Sequence, residues 1–138
     1  MVEISVEYEG NLHCLAIHGP SEDRLSTDAP KDNLGRGEAF SPTDLAATSL
    51  GVCMLTTMAI VAGRQSLDVD LSGARATVRK HMTASPPRRI LKIEVSVEMP
   101  LPKTHSSREV LENAALNCPV ALSLHPDVEK AVTFSWRP

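Results

Sequence analysis

Residues 41–63 read SPTDLAATSLGVCMLTTMAIVAG, and the reading of this stretch decides the fold. Ser41 is a capping residue, Pro42 suits the first helical position, and Asp44 stands where the carboxylate of a capping box belongs. From Leu45 to Ala62 the polar side chains are Thr48, Ser49, Thr56 and Thr57, none of them charged. A helix apolar nearly all round has to be buried on most sides. In a chain of 138 residues, a sheet on one side and a partner subunit on the other is the simplest way to bury it.

Upstream, Val2, Ile4, Val6 and Tyr8 alternate with Glu3, Ser5 and Glu7, the period of a half-buried strand. Glu9-Gly10-Asn11 reads as a turn, Leu12–His18 as the return strand and Arg24–Asp28 as a short third strand. Ala29–Phe40 holds Pro30, Asp32, Asn33, Gly35 and Gly37 without periodicity, so it is a loop of functional length. Downstream, alternation over Ala74–Met82 and Leu91–Met99 predicts a hairpin joined through Ala84-Ser85-Pro86-Pro87. A register that sets Arg79 opposite Glu94 and Arg75 opposite Glu98 pairs opposite charges and is the one expected. Ser107–Asn117 reads as an amphipathic helix, Cys118-Pro119 opens a short helical segment through Leu124, and Val128–Trp136 closes the chain as a strand. The order βββ-α-ββ-α-α-β predicts one α+β domain over residues 1–138, with an antiparallel sheet and segregated helices.

Composition excludes several function classes. The formal net charge is −3, so there is no bulk electrostatic case for nucleic acid. No run of about 18 uninterrupted apolar residues marks a membrane span. The N-terminus alternates apolar and acidic residues and lacks the basic and apolar regions of a signal peptide. A reducing cytoplasm is the expected location, where cysteines are more often free or catalytic than disulfide-bonded. The five histidines show no metal-binding spacing with the cysteines, and neither metal nor cofactor is expected.

The three cysteines carry the chemistry. Cys14, within the second strand, reads as a small core hydrophobe. Cys53 lies well inside the apolar helix, where pattern alone favours packing. Cys118 precedes a proline at a helix start, where unpaired backbone N–H groups lower a thiol's pKa, so chemistry alone makes it the better thiolate.

Ser41-Pro42-Thr43-Asp44-Leu45 followed after eight residues by Cys53 resembles the central-helix signature of the OsmC/Ohr family. Cys118-Pro119-Val120 with Leu124-His125-Pro126 is similar to its second cysteine motif. Lys80, Met82 and Pro87-Arg88-Arg89-Ile90 resemble the hairpin of OsmC-like branches outside the Ohr group. The resemblance runs from about Thr27 to Trp136. It implies an intertwined homodimer built on a long buried central helix, acting as a thiol-dependent hydroperoxide reductase. In that reading Cys53 attacks the peroxide and becomes a sulfenic acid, Cys118 resolves it as a disulfide, and an external dithiol resets the pair.

The sequence departs from the Ohr pattern, which has an arginine near the first turn and a glutamate right after the helix-signature proline. Here Thr43 follows Pro42, and the carboxylate is Asp44. A Cys53 in apolar surroundings needs a nearby cation to ionise. Arg36, in the loop before the helix, is the substitute candidate, with Arg24, Arg88 and Arg89 behind it. Asp44 precedes Cys53 by nine residues, which puts the two on opposite sides of a straight helix and makes Asp44 a cap. The competing functions are an OsmC-like protein that binds a small apolar ligand and a redox sensor without turnover.

Overall fold

The capping residues form the box they predict. Ser41 N–H donates to Asp44 Oδ2 at 2.9 Å, and Asp44 N–H donates to Ser41 Oγ at 3.1 Å. Two orphan donors at the helix start are thereby satisfied, and α1 runs from Pro42 to Arg64. The computed structural model describes residues 1–138. The chain divides inside α1 into two compact units, Met1–Ala46 and Ala47–Pro138.

The first unit holds three antiparallel strands, β1 (Ile4–Gly10), β2 (His13–His18) and β3 (Arg24–Asp28), in that order across the sheet. Asn11 (φ 53°) and Leu12 (φ 64°) occupy the left-handed positions of the tight β1–β2 turn, the conformation whose twist matches a hairpin. The segment after β3 contains one 3-10 turn, Lys31–Asn33. Asp28 organises it: its Oδ2 accepts the Glu38 N–H at 2.9 Å. His13 Nε2 lies 3.1 Å from Asp28 Oδ1, at ion-pair distance but off the line of a hydrogen bond.

The second unit packs helices on a mixed sheet, β4 (Arg75–Met82), β5 (Ile90–Pro102) and β6 (Glu129–Arg137). The β4–β5 hairpin has the expected register, Arg75 opposite Glu98 and Arg79 opposite Glu94. The wholly antiparallel sheet is corrected at β6, which runs parallel to β5 with Val95 opposite Val132. Parallel neighbours need a long crossover, and α2 (Arg108–Leu116) and α3 (Pro119–Ser123) supply it. The core unites Leu50, Met54 and Met58 of α1 with Ile93, Val95 and Val97 of β5 and Leu111 of α2. Gly51 is required there, because a Cβ would stand 2.6 Å from Val78 Cγ2.

Within one chain, only one face of α1 is buried, through Ala47, Leu50, Gly51, Met54, Met58 and Ala62. Val52 and Ile60, on the opposite side, are 55% and 50% exposed. By length and composition α1 would also pass for a membrane span, but its Leu50-Met54-Met58 stripe packs as a core helix.

Candidate active site

Cys53 and Cys118 come together although they stand 65 positions apart in sequence. Cys53 is half-buried on α1, one turn before Thr57, whose Oγ1 lies 3.7 Å from its Sγ. Cys118 is the N-cap of α3, with extended backbone (φ −65°, ψ 152°), and is fully buried. Its thiol donates a hydrogen bond to the Cys53 sulfur. Pro119 at the first helical position fixes the segment so that the following amides, Val120 and Ala121, point back at the two sulfurs.

These contacts divide the pair. Partial burial pushes the Cys53 thiol up, but hydrogen bonds from the Val120 N–H, the Thr57 hydroxyl and the Cys118 thiol outweigh it and hold Cys53 below the ordinary thiol value. Burial pushes Cys118 up. The Ala121 and Val120 amides oppose this, while donation to Cys53 and the negative charge there push it up further, and the net shift is upward. The sequence argument that a helix start makes Cys118 the better thiolate is therefore reversed. The α3 start presents its Val120 N–H to Cys53 as well, and complete burial of Cys118 penalises its own charge.

The other expected residues fall as follows. Asp44 is the helix cap described above. Arg36 is 76% exposed and stands 3.9 Å from Glu38. Arg89 Nη1 donates to the carbonyls of Ile90 and Asp127, at 3.1 and 3.4 Å, and ties the hairpin to the turn before β6. All three groups that lower Cys53 are hydrogen-bond donors rather than cations. Cys14 is free and half-buried on β2, opposite Tyr8 and Thr27, and lies outside the buried core. Sequence reasoning missed Thr57 and the Val120 amide. The four-residue step from Cys53 to Thr57 was legible, since side chains at that spacing share a helix face. The Val120 donor was not legible, because it depends on where α3 docks. Away from the thiols, His13, Asp28 and Glu38 gather ligand atoms within 4.8 Å of one another, but Asp28 is occupied by the backbone of its loop.

Residues 35–132 match the family model described as OsmC-like protein. The chain belongs to this family. It is 42% identical to a protein of Psychrobacter arcticus described as an osmotic stress induced and detoxification response protein. Their folds agree with a TM-score of 0.89 over 98% of this chain and 96% of that one. The fold is shared at 16% identity with an organic hydroperoxide resistance protein OsmC of Legionella pneumophila, with a TM-score of 0.76 over 98% and 96% of the two chains. It is shared at 14% identity with an organic hydroperoxide resistance protein of Elizabethkingia anophelis, with a TM-score of 0.75 over 99% and 96%. No curated protein matches the chain. The OsmC-like helix signature and second cysteine motif thus fall within the residues the family model matches, with Cys53 and Cys118 side by side.

Proposed function

We propose that this OsmC-like chain is a cytoplasmic thiol peroxidase that reduces organic hydroperoxides or hydrogen peroxide and works as a homodimer. The observation that carries the reading is the pairing of the two thiols, with Cys53 set among hydrogen-bond donors from Thr57 and the α3 start, and Cys118 fully buried at that start. An attacking sulfur has to be ionised, and a second thiol beside it rescues the sulfenic acid from further oxidation. The Cys53 thiolate attacks a peroxide oxygen; the S–O bond forms, the O–O bond breaks, and the departing oxygen takes up a proton and leaves as alcohol or water. The sulfur of Cys53 is oxidised by two electrons, to a sulfenic acid. Cys118 then attacks that sulfur, an S–S bond forms, and the sulfenic oxygen leaves as water with the Cys118 proton. An external dithiol reduces the disulfide and is itself oxidised. The exposed apolar residues of α1 and β1 support the dimer, since large uncovered apolar faces mark interfaces.

The test is steady-state consumption of cumene hydroperoxide and of hydrogen peroxide with a dithiol in excess. Turnover well beyond one equivalent is expected from wild type and none from Cys53→Ser. Cys118→Ser is expected to be oxidised once and then to accumulate sulfinic acid on Cys53. Consumption that stops at one equivalent in wild type would replace the enzyme by a redox sensor. Sulfenic acid trapped on Cys118 in Cys53→Ser, but not on Cys53 in Cys118→Ser, would exchange the roles. A second reading, binding of a small apolar ligand, is favoured by a cavity of about 530 Å³ lined by Leu55, Met58, Leu67, Val69 and Leu71 among others. Saturable ligand binding by a wild type without peroxide turnover would select it.

A further inference from the structure

Two adjacent threonines of α1 use their hydroxyls differently. Thr56 is exposed, and its Oγ1 donates back to the carbonyls of Val52 and Cys53 at 3.0 and 3.2 Å. That is the ordinary way for a helical threonine to satisfy its hydroxyl. Thr57 is half-buried, and its Oγ1 lies 3.7 Å from Cys53 Sγ, a hydrogen-bond distance for sulfur. The direction of this bond depends on the state of the sulfur. With Cys53 as a thiol, either group can donate. With Cys53 as a thiolate, the only proton in the contact belongs to Thr57, so the hydroxyl must donate and the bond becomes charge-assisted.

The three donors to Cys53 also differ in origin. The Val120 amide and the Cys118 thiol both belong to the segment that opens α3. Cys118 ceases to be a donor once it is spent on a disulfide. Thr57 rides on the same helix as Cys53, one turn away, and keeps its position relative to that sulfur whatever the α3 segment does.

We propose that Thr57 is a positioning residue for Cys53: its hydroxyl donates to Sγ, holds the sulfur in its orientation toward Cys118, and favours the ionised nucleophile. The proposal rests on the reading of Cys53 as the attacking thiol. It assigns to a hydroxyl on the cysteine's own helix the support that the sequence led one to seek in an arginine.

The experiment measures the pH dependence of iodoacetamide alkylation of Cys53, followed by the mass of its peptide in the reduced full-length protein. Thr57→Val keeps the shape and removes the hydroxyl, and its midpoint is expected to rise by about one pH unit. Below the midpoint, alkylation at a fixed pH should then slow by up to about tenfold, as the thiolate fraction falls. Thr57→Ser, which restores the hydroxyl, should return most of the shift. Cys14, read in the same digests, should keep its wild-type profile in every variant and so separates a local effect from loosening of the fold. Thr57→Ala carries the same expectation and decides the matter if the valine variant does not fold. A hydroxyl-free variant whose Cys53 profile superimposes on wild type would overturn the proposal, and so would a serine variant that behaves like valine. The two readings fail separately. Shifted profiles in a protein without peroxide turnover would leave Thr57 in its role and remove the peroxidase. Unshifted profiles in an active peroxidase would do the reverse.

Discussion

The chain contains two three-stranded sheets, and only one has its apolar side covered. On β5, Ile93, Val95 and Val97 are at most 1% exposed. On β1, the equally regular series Ile4, Val6 and Tyr8 is 58%, 67% and 63% exposed. The alternation in sequence is equally clean in both strands. Period two therefore tells which residues share a face and is silent on what covers it. The second sheet is covered by helices of its own unit. The first is held by its backbone ladder and by the Asp28 anchor of the following loop. A contiguous open apolar face of this kind marks an interaction surface, and the proposed second subunit is what would cover it.

Core truncation in the second unit should have the largest effect on this contrast. Leu111→Ala is expected to cost about 2–5 kcal/mol in denaturant unfolding, because Leu111 is completely buried. Gly51→Ala should cost about 1–3 kcal/mol by overpacking against Val78. Ser41→Ala, which opens the capping box, should cost about 1 kcal/mol. Val6→Ser should change the stability of a dilute monomer by no more than about 0.5 kcal/mol, while lowering the concentration-dependent mass seen by light scattering. A Val6 effect as large as that of Leu111 in a demonstrated monomer would break the comparison.

Acid should loosen both sheets by the same sign. The His81 hydrogen bond, with Lys92 behind it, holds the Glu94 carboxyl below its usual range. In the first unit, the Glu38 N–H bond does the same for Asp28, helped against desolvation by His13 and by the Ala29 and Arg36 amides. Each folded-state value is depressed, so each contribution is present above the unfolded carboxylate value and is lost as pH falls through the folded one. NMR spectra recorded from about pH 6 to about pH 3 should show the β4–β5 hairpin and the loop after β3 losing native shifts toward the acid end. Glu94→Gln should remove the first response and Asp28→Asn the second. A wild-type spectrum unchanged over this range would refute both assignments.

What the sequence made legible was mostly local. The α1 start followed from Ser41, Pro42 and Asp44, and the β4–β5 register from charge pairing, because each signal lies within a few residues or across one hairpin. The parallel placement of β6 was not legible, since the choice between the two edges and directions is made by how α2 and α3 pack. The acidity order of the thiols failed for a related reason. The proline after Cys118 announces amide donors, but which sulfur they reach is decided by docking.

The parallel pairing of β5 with β6 also bears on the order of folding. The β4–β5 hairpin closes over a short stretch, with His81 opposite Lys92. The β5–β6 pairing must first close the chain from Lys92 to Glu129. Loop closure of that kind is entropically expensive and comes late. Cys118 lies within this late-closing segment, whereas Cys53 sits on a helix with strong local start signals. During synthesis, Cys53 would therefore emerge and become helical before its partner thiol and the Val120 amide arrive. The nascent helix would carry Cys53 with the Thr57 hydroxyl as its donor, and the Val120 amide and the Cys118 thiol would join it only once α3 has docked.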